Sequence, residues 1–318
     1  MAFLVVIEMV FSFLFVNVSA VSAESEKIAK STTINEWEQY NDIVSSTDAD
    51  LKQKGYTEAE IAEIRSFDYE KEIRNRASLS DEMLYKYGYS DSEITELRNA
   101  AKLEDIPVSV MKTISSATMT TTLRYLSNGS RVEGGKTMYY VNMKFSWSWS
   151  RIPIFRLFDI VVVAFDSSTA DKFSYCVQSS NQVHAKLKEL STSKIIDRAY
   201  NWTLSTKYYN SIYVKFPICN HDVNANVSHF VYNGYGTFQL TNRSNKARLF
   251  VDACYGHTTT NIVPSFSISG TGPSLNVSLV LGMDDQHCTG YFFENFTISK
   301  NYIYHGTVYG KSNSGGSV

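Results

Sequence analysis

Between residues 48 and 100 apolar side chains recur every three or four positions, and from about residue 119 they recur every second one. The first spacing is that of an amphipathic helix, the second that of a half-buried strand. In the helical part a degenerate unit with a period of 33 residues occurs twice: Leu51, Gly55, Tyr56, Thr57, Glu60, Ile61, Glu63, Ile64 and Arg65 return as Leu84, Gly88, Tyr89, Ser90, Glu93, Ile94, Glu96, Leu97 and Arg98. Each copy reads as a helix ending on its glycine, a turn, and a second helix capped by Thr57 or Ser90. Glu60 and Glu93 stand three residues on, at the capping-box spacing. Tyr56 and Tyr89 precede the caps, where a hydrophobic staple would sit. Tyr69–Ala77 is predicted as a linking helix. Two copies are too few for a self-sufficient solenoid, so the unit is either a small protein-binding module or a helical cap packed on the strand-rich remainder of the chain.

That remainder alternates. Val141, Met143, Phe145, Trp147 and Trp149 take turns with Asn142, Lys144, Ser146, Ser148 and Ser150 without a break, one face apolar and one wet. After a turn over Arg151–Arg156, Leu157–Phe165 is a nearly continuous apolar run, as expected of a strand buried on both sides. Ser228–Tyr232 and Tyr235–Leu240 flank Asn233-Gly234, a strong hairpin signal. Arg248–Tyr255, Asn261–Ser269, Leu275–Leu281 and Thr289–Ser299 are further strands, with turns predicted at Gly256–Thr260, Gly270–Pro273 and Met283–Gln286. A helix is expected over Gln182–Leu190, where Val183, Leu187 and Leu190 share a face. The predicted fold class is therefore α+β: a short helical N-terminal region (24–110), an antiparallel all-β sandwich (111–310) and a Gly/Ser-rich, disordered tail (311–318).

Charge divides the chain at the same place. Residues 24–105 carry 20 Asp+Glu against 11 Lys+Arg, and residues 106–318 carry 11 against 19, within a total of −2. An acidic segment ahead of a weakly basic domain is also how a removable pro-region would look. It is a poor surface for nucleic acid.

Residues 1–23 read as a secretory signal peptide: Phe3–Val16 is almost wholly apolar, and Val21-Ser22-Ala23 offers small residues before a cleavage point. Glu8 interrupts the run, and no Lys or Arg precedes it, so the true translation start is open. Export would place Cys176, Cys219, Cys254 and Cys288 in an oxidising compartment, where two disulfides are the default. Of three connectivities, Cys176–Cys219 with Cys254–Cys288 is favoured as sequence-near. No cysteine has zinc-type spacing, so neither metal nor cofactor is expected.

The run Phe145-Ser-Trp-Ser-Trp-Ser-Arg-Ile-Pro153, continued by Asp159-Ile-Val-Val162 and later by Tyr255-Gly-His257, resembles a pattern in uncharacterised secreted proteins of Gram-positive bacteria. The resemblance implies an extracellular bacterial setting and no activity.

Candidate chemistry is sparse. Trp147 and Trp149 point the same way and could stack on sugar rings or sit at a lipid interface; alternatively they continue the core stripe. The same strand could belong to a membrane-crossing hairpin, although its neighbour Leu157–Phe165 does not alternate. Asp159 sits in an apolar strand and needs a partner, for which Arg156 is near in sequence. Asp284, Asp285 and His287 cluster in a predicted turn beside Cys288, a candidate ligand-binding set or merely a solvated turn. His257 closes a strand at a position where loops carry function. No Gly-x-Ser-x-Gly, His-Glu-x-x-His, P-loop or dinucleotide glycine pattern occurs. The expected function is a secreted binding protein for an extracellular or cell-envelope ligand of unknown identity. A membrane-active toxin or bacteriocin-like effector with an acidic pro-region is the alternative, and an extracellular hydrolase a second.

Overall fold

The structure of the protein is a computed structural model. It describes residues 32–311 except 54–55, 116, 155–157, 168–173, 177–179, 223–226, 244–245, 259–265, 272–274, 280–282 and 296–304. The proposed leader, Arg156, and residues 312–318 lie outside this set.

A short strand, β1 (Thr32–Asn35), leads into helices α1 (Glu36–Ser45), α2 (Asp48–Gln53), α3 (Glu58–Ser66), α4 (Tyr69–Ala77), α5 (Asp81–Tyr87) and α6 (Asp91–Ala100). The two predicted hairpins are α2/α3 and α5/α6, with α4 between them. Gly88 ends α5 at φ +97°, and Ser90 caps α6 in a capping box with Glu93. Tyr56 and Tyr89 are both buried, the second in a cluster with Ile73, Leu84, Ile94 and Leu97. A turn α7 (Val108–Val110) and a π-helical segment, Met111–Ser115, complete the region.

The strands are β2 (Thr118–Glu133), β3 (Lys136–Trp149), β4 (Phe158–Ser167), β5 (Ser174–Cys176), β6 (Gln182–Glu189), β7 (Ile195–Asn201), β8 (Thr203–Leu204) and β9 (Ser211–Pro217). Next come β10 (Cys219–Asp222), β11 (Val227–Asn242), β12 (Lys246–Thr258), β13 (Phe266–Ser269), β14 (Asn276–Leu279), β15 (Met283–Asn295) and β16 (His305–Lys311). An eight-stranded sheet runs β1-β2-β3-β11-β6-β7, with β5 and β10 also on β11. A six-stranded sheet runs β16-β15-β12-β4-β9-β8. Their facing sides form one core: Met143, Phe145, Trp147, Val183 and Phe238 from the first meet Val161, Phe165, Val214, Phe216 and Tyr255 from the second. The fold is an antiparallel sandwich with a short helical N-terminal region, as expected.

The two sheets differ on their other faces. The hairpin β13–β14 covers the six-stranded sheet, packing Leu275 and Val277 on Ile160, Val162, Ala164, Phe250 and Cys254. Buried Asp252 fixes it by accepting a 2.7 Å bond from the Val277 backbone N–H. The run Asp159–Phe165 is thus buried on both sides, as its pattern required, while Phe158 at its start is exposed. The eight-stranded sheet instead leaves Thr120, Thr122, Arg124, Lys144, Ser146, Tyr235 and His184 partly open on its outer side.

Four local expectations are overturned. Residues 182–189 are a strand: Val183, Ala185 and Leu187 are buried in alternation, and a spacing of four satisfies period 2 as well as a helix turn. Asn233-Gly234 makes no hairpin but lies inside continuous β11, where a bulge between Val231 and Asn233 absorbs one residue. The glycine serves packing, because a Cβ there would stand 2.3 Å from Trp147 Cζ2 and 2.6 Å from the His184 carbonyl oxygen. Residues 283–286 are not a turn but the start of β15. Cys176 and Cys219 register against Gln239 and Phe230 of β11, a separation of about 30 Å by strand rise, so that register does not bring the sequence-near pair together. Cys254 registers against His287, and Cys288 against Ala253.

Among the described residues no helix is long and apolar enough to cross a membrane. Replacing Gly234 by Ala should destabilise the fold by about 1–3 kcal/mol, the usual cost of overpacking. A lowered urea midpoint would register it, and an unchanged midpoint would refute the packing role given to this glycine.

Candidate functional site

The contact between helices and sandwich is built around the turn after β3, residues 150–154. Ser150 N donates to Thr118 O at 2.8 Å, which closes the end of the β2–β3 ladder. Ile152 N then donates to Tyr87 O at 3.0 Å, and Ile154 N to Glu36 Oε2 at 2.9 Å. Arg76, on the inner side of α4 and 1% exposed, donates to the carbonyl oxygens of Ile152 at 2.8 Å and Pro153 at 2.6 Å. Its guanidinium also reaches Tyr89 OH at 3.3 Å. Burial disfavours its charge, but Tyr89 and Glu36 outweigh that and hold the pKa above the ordinary arginine value. Arg151 closes the set, paired with Glu93 at 2.5 Å and lying 4.5 Å over the Tyr89 ring. Burial works against the Glu93 carboxylate, yet the bonds from Ser90 and Arg151 leave its pKa lowered.

Glu36 leads from this turn into the sandwich. It is the first residue of α1, where Asn35 caps the helix by accepting from Glu38 N at 3.1 Å, and a carboxylate suits the positive end of the helix dipole. Its Oε1 stands 3.7 Å from His257 Nε2. On the other side of the imidazole, Nδ1 is 2.8 Å from Asp159 Oδ1, because His257 and Asp159 are direct cross-strand partners in the β12–β4 ladder. Tyr255 OH donates to the second oxygen of Asp159 and accepts from Trp149 Nε1 at 3.4 Å. Asp159 is therefore held by His257 and Tyr255; Arg156, the partner expected from the sequence, lies outside the described residues. Burial alone would lower the His257 pKa, but the Asp159 carboxylate and then Glu36 raise it to about 10. Burial and the Asp159 charge together push the Tyr255 phenol well up.

A carboxylate–imidazole pair can shuttle protons when a substrate reaches it. Here Asp159 and His257 are 0% exposed and Glu36 2%, so the cluster acts as a lock between two parts of the chain. Trp147 and Trp149, 2% and 7% exposed, are core residues. Trp147 stacks on Phe216 at 5.5 Å, and Trp149 packs edge-on to His257 at 4.9 Å. These burials correct the ligand-contacting roles expected of Trp147, Trp149 and His257. Asp284 and Asp285 register against His257 and Gly256, and His287 against Cys254; their side chains lie outside the described set. Among the described residues no group of three His, Cys, Asp or Glu is placed to hold a metal ion.

A second arrangement of polar and aromatic side chains in register lies on the outer face of the eight-stranded sheet. Direct ladder partners share a face, so two rows form across it: Thr122, Ser146, Tyr235 and His184, then Arg124, Lys144 and Thr237. Lys144 Nζ lies 4.4 Å over the Tyr235 ring, and His184 stacks on the same ring at 5.0 Å and 15°. Asp197 of β7 pairs with His184 Nδ1 at 3.1 Å and with Lys186. Burial tends to raise the Asp197 pKa, but those two partners leave it lowered.

No known family model matches the chain, and no curated protein matches it. Among solved structures, one that it matches weakly is the membrane-inserted form of the NetB toxin of Clostridium perfringens. That match is 8% identical, has a TM-score of 0.19, and covers 57% of this chain and 92% of the toxin chain. At that score the likeness carries no argument about fold or activity.

Two outcomes are expected of the lock. Arg76→Met removes the donor to two buried carbonyls and should cost about 3 kcal/mol, read as a lower unfolding midpoint. The His257 pKa is raised above its unfolded value near 6.5. Its stabilising contribution is therefore complete below about pH 6.5 and fades as pH climbs through about 10. At pH 8 the imidazole nitrogens of His257 should both carry protons in an NMR spectrum, and a neutral ring at that pH would contradict the assignment.

Proposed function

We propose that the chain is a secreted binding protein in which the helical region is a permanent part, and that the partly exposed outer face of the eight-stranded sheet meets the ligand. One observation carries this reading: the Lys144–Tyr235–His184 stack, set among Thr122, Ser146 and Thr237 on a sheet face that stays partly exposed there. A wet sheet face needs polar side chains for solubility alone. It does not need an aromatic ring fixed between a lysine and a histidine, since ordering long side chains costs conformational entropy. The buried ties made by Glu36 and Arg76 support permanence of the helical region, because cutting it away would remove one of the two carboxylates beside His257 and leave two buried carbonyls without Arg76.

The extracellular setting rests on the apolar leader and the family resemblance. A hydrolase site at His257 is set aside because the carboxylate–imidazole pair is sealed from solvent. The test is a binding screen of the purified protein against immobilised glycans, cell-wall polymers and extracellular proteins, run beside hydrolysis assays on the same materials. Binding that is lost in a Lys144→Ala/Tyr235→Ala variant of unchanged unfolding midpoint is the expected result. Turnover of any of these materials without retained binding would overturn the proposal.

A further inference from the structure

The loop between β8 and β9, residues 205–210, is tied down by hydrogen bonds at both ends. Buried Ser205 accepts with its Oγ from Tyr208 N at 3.0 Å, and buried Ser211 donates its Oγ to Tyr208 O at 2.8 Å. The Asn210 carbonyl accepts from Phe165 N at 2.9 Å, which fastens the loop to β4 of the six-stranded sheet. Tyr208 packs against Phe266 of β13 with ring centroids 5.9 Å apart, and Lys207 Nζ stands 5.1 Å from the centroid of the Tyr208 ring. Tyr209, held between these anchors, is nevertheless 80% exposed.

A single exposed apolar side chain is ordinary. Tyr209 differs because it borders a cavity of about 450 Å³, within the range of small-ligand sites, roughly 300–1,000 Å³. Four stretches of chain line that cavity: the end of β4 with Asp166, the start of β5 with Ser174, the 205–210 loop, and Thr271 after β13. Because β4 and β5 belong to different sheets, the cavity lies where the rims of the sandwich meet. The charges of Asp166 and Lys207 oppose each other, so the lining selects neither an anion nor a cation. Its groups are mixed in another sense too. Asp166 accepts hydrogen bonds, Lys207 donates them, and Asn210, Ser174 and Thr271 do both. Asp166 and Thr271 also interact within the chain, but a carboxylate and a hydroxyl each make several bonds at once.

An uncharged ligand whose hydroxyls both donate and accept matches such a lining, and the apolar face of a sugar ring matches an aromatic platform. A nucleotide would bring phosphate charge that one ammonium group, opposed by a carboxylate, does not match. We propose that this cavity is a saccharide-binding site, in which the Tyr209 ring stacks on an uncharged sugar while Asp166, Asn210 and Lys207 bond its hydroxyls. The pinned loop presents that ring at small entropic cost. The site is separate from the outer face of the eight-stranded sheet, since Lys144, Tyr235 and His184 take no part in lining it.

The test titrates maltose, cellobiose, lactose and diacetylchitobiose into the full chain, with adenosine monophosphate, glucuronic acid and glucosamine as charged controls. At least one neutral disaccharide should bind with a Kd of about 1 mM or tighter, and raising the salt concentration should leave that affinity unchanged. Tyr209→Ala should weaken binding about tenfold, whereas Tyr209→Phe keeps the ring and should keep most of the affinity. Neither substitution should move the unfolding midpoint, because the side chain is so exposed. The Lys144→Ala/Tyr235→Ala variant should bind the sugar as the unaltered chain does. Absence of binding by all four disaccharides, undiminished binding by Tyr209→Ala, or tighter binding of a charged control would overturn the proposal. Loss of sugar binding in the Lys144→Ala/Tyr235→Ala variant alone would place the sugar on the sheet face and overturn it too, leaving the binding role proposed for that face intact.

Discussion

The architecture depends on an imidazolium sealed between two carboxylates. An ion pair in a protein interior is tolerable only when geometry and hydrogen bonds compensate its desolvation, and here the compensation comes from three separate stretches of chain. Asp159 and His257 are supplied by neighbouring strands of one sheet, and Glu36 by the first turn of the first helix. The second carboxylate beside His257 is therefore in place only when the N-terminal helices are docked. The same docking presents the turn after β3 to Arg76, so the peptide groups of that turn are satisfied by the helices and not by solvent. Coupling of this kind makes helices and sandwich one cooperative body even though their compositions and charges differ.

Much of the fold is legible in the sequence. The twofold helical unit, its capping box, the alternating strand over 141–149 and the doubly buried strand after it all obey local rules that nothing in the tertiary structure contradicts. Sequence reasoning fails where a local signal is ambiguous or where packing overrides it. Val183 and Leu187 fit a helix and a strand equally well, and only the sandwich core chooses. Asn233-Gly234 carries the chemistry of a hairpin turn, yet the glycine is there because the Trp147 ring lies on it. A bulge one step earlier takes up the irregularity instead.

The lock and the outer face are less legible, for the same physical reason. Both are made by residues far apart in sequence and adjacent only through register. Glu36 is one acid among many in its region, and Arg76 one cation in a helix whose sequence is mostly charged. Asp159 visibly needs a partner, but its partners lie 96 and 98 positions downstream. On the outer face, Lys144 and Ser146 already stand on the wet side of a recognisable strand. The significance of Tyr235 and His184 stays hidden because local signals place one at the end of a turn and the other in a helix.

The alternation along β3 has an evolutionary consequence. Its odd-numbered positions from 141 to 149 build the interior and its even-numbered ones the exterior, on the same strand and within one residue of each other. Drift at 142, 144, 146 or 148 can therefore change the chemistry of the outer face without disturbing the core beneath it. Relatives that have diverged in this way would keep the tryptophans and exchange the residues between them, sharing a scaffold while differing in surface.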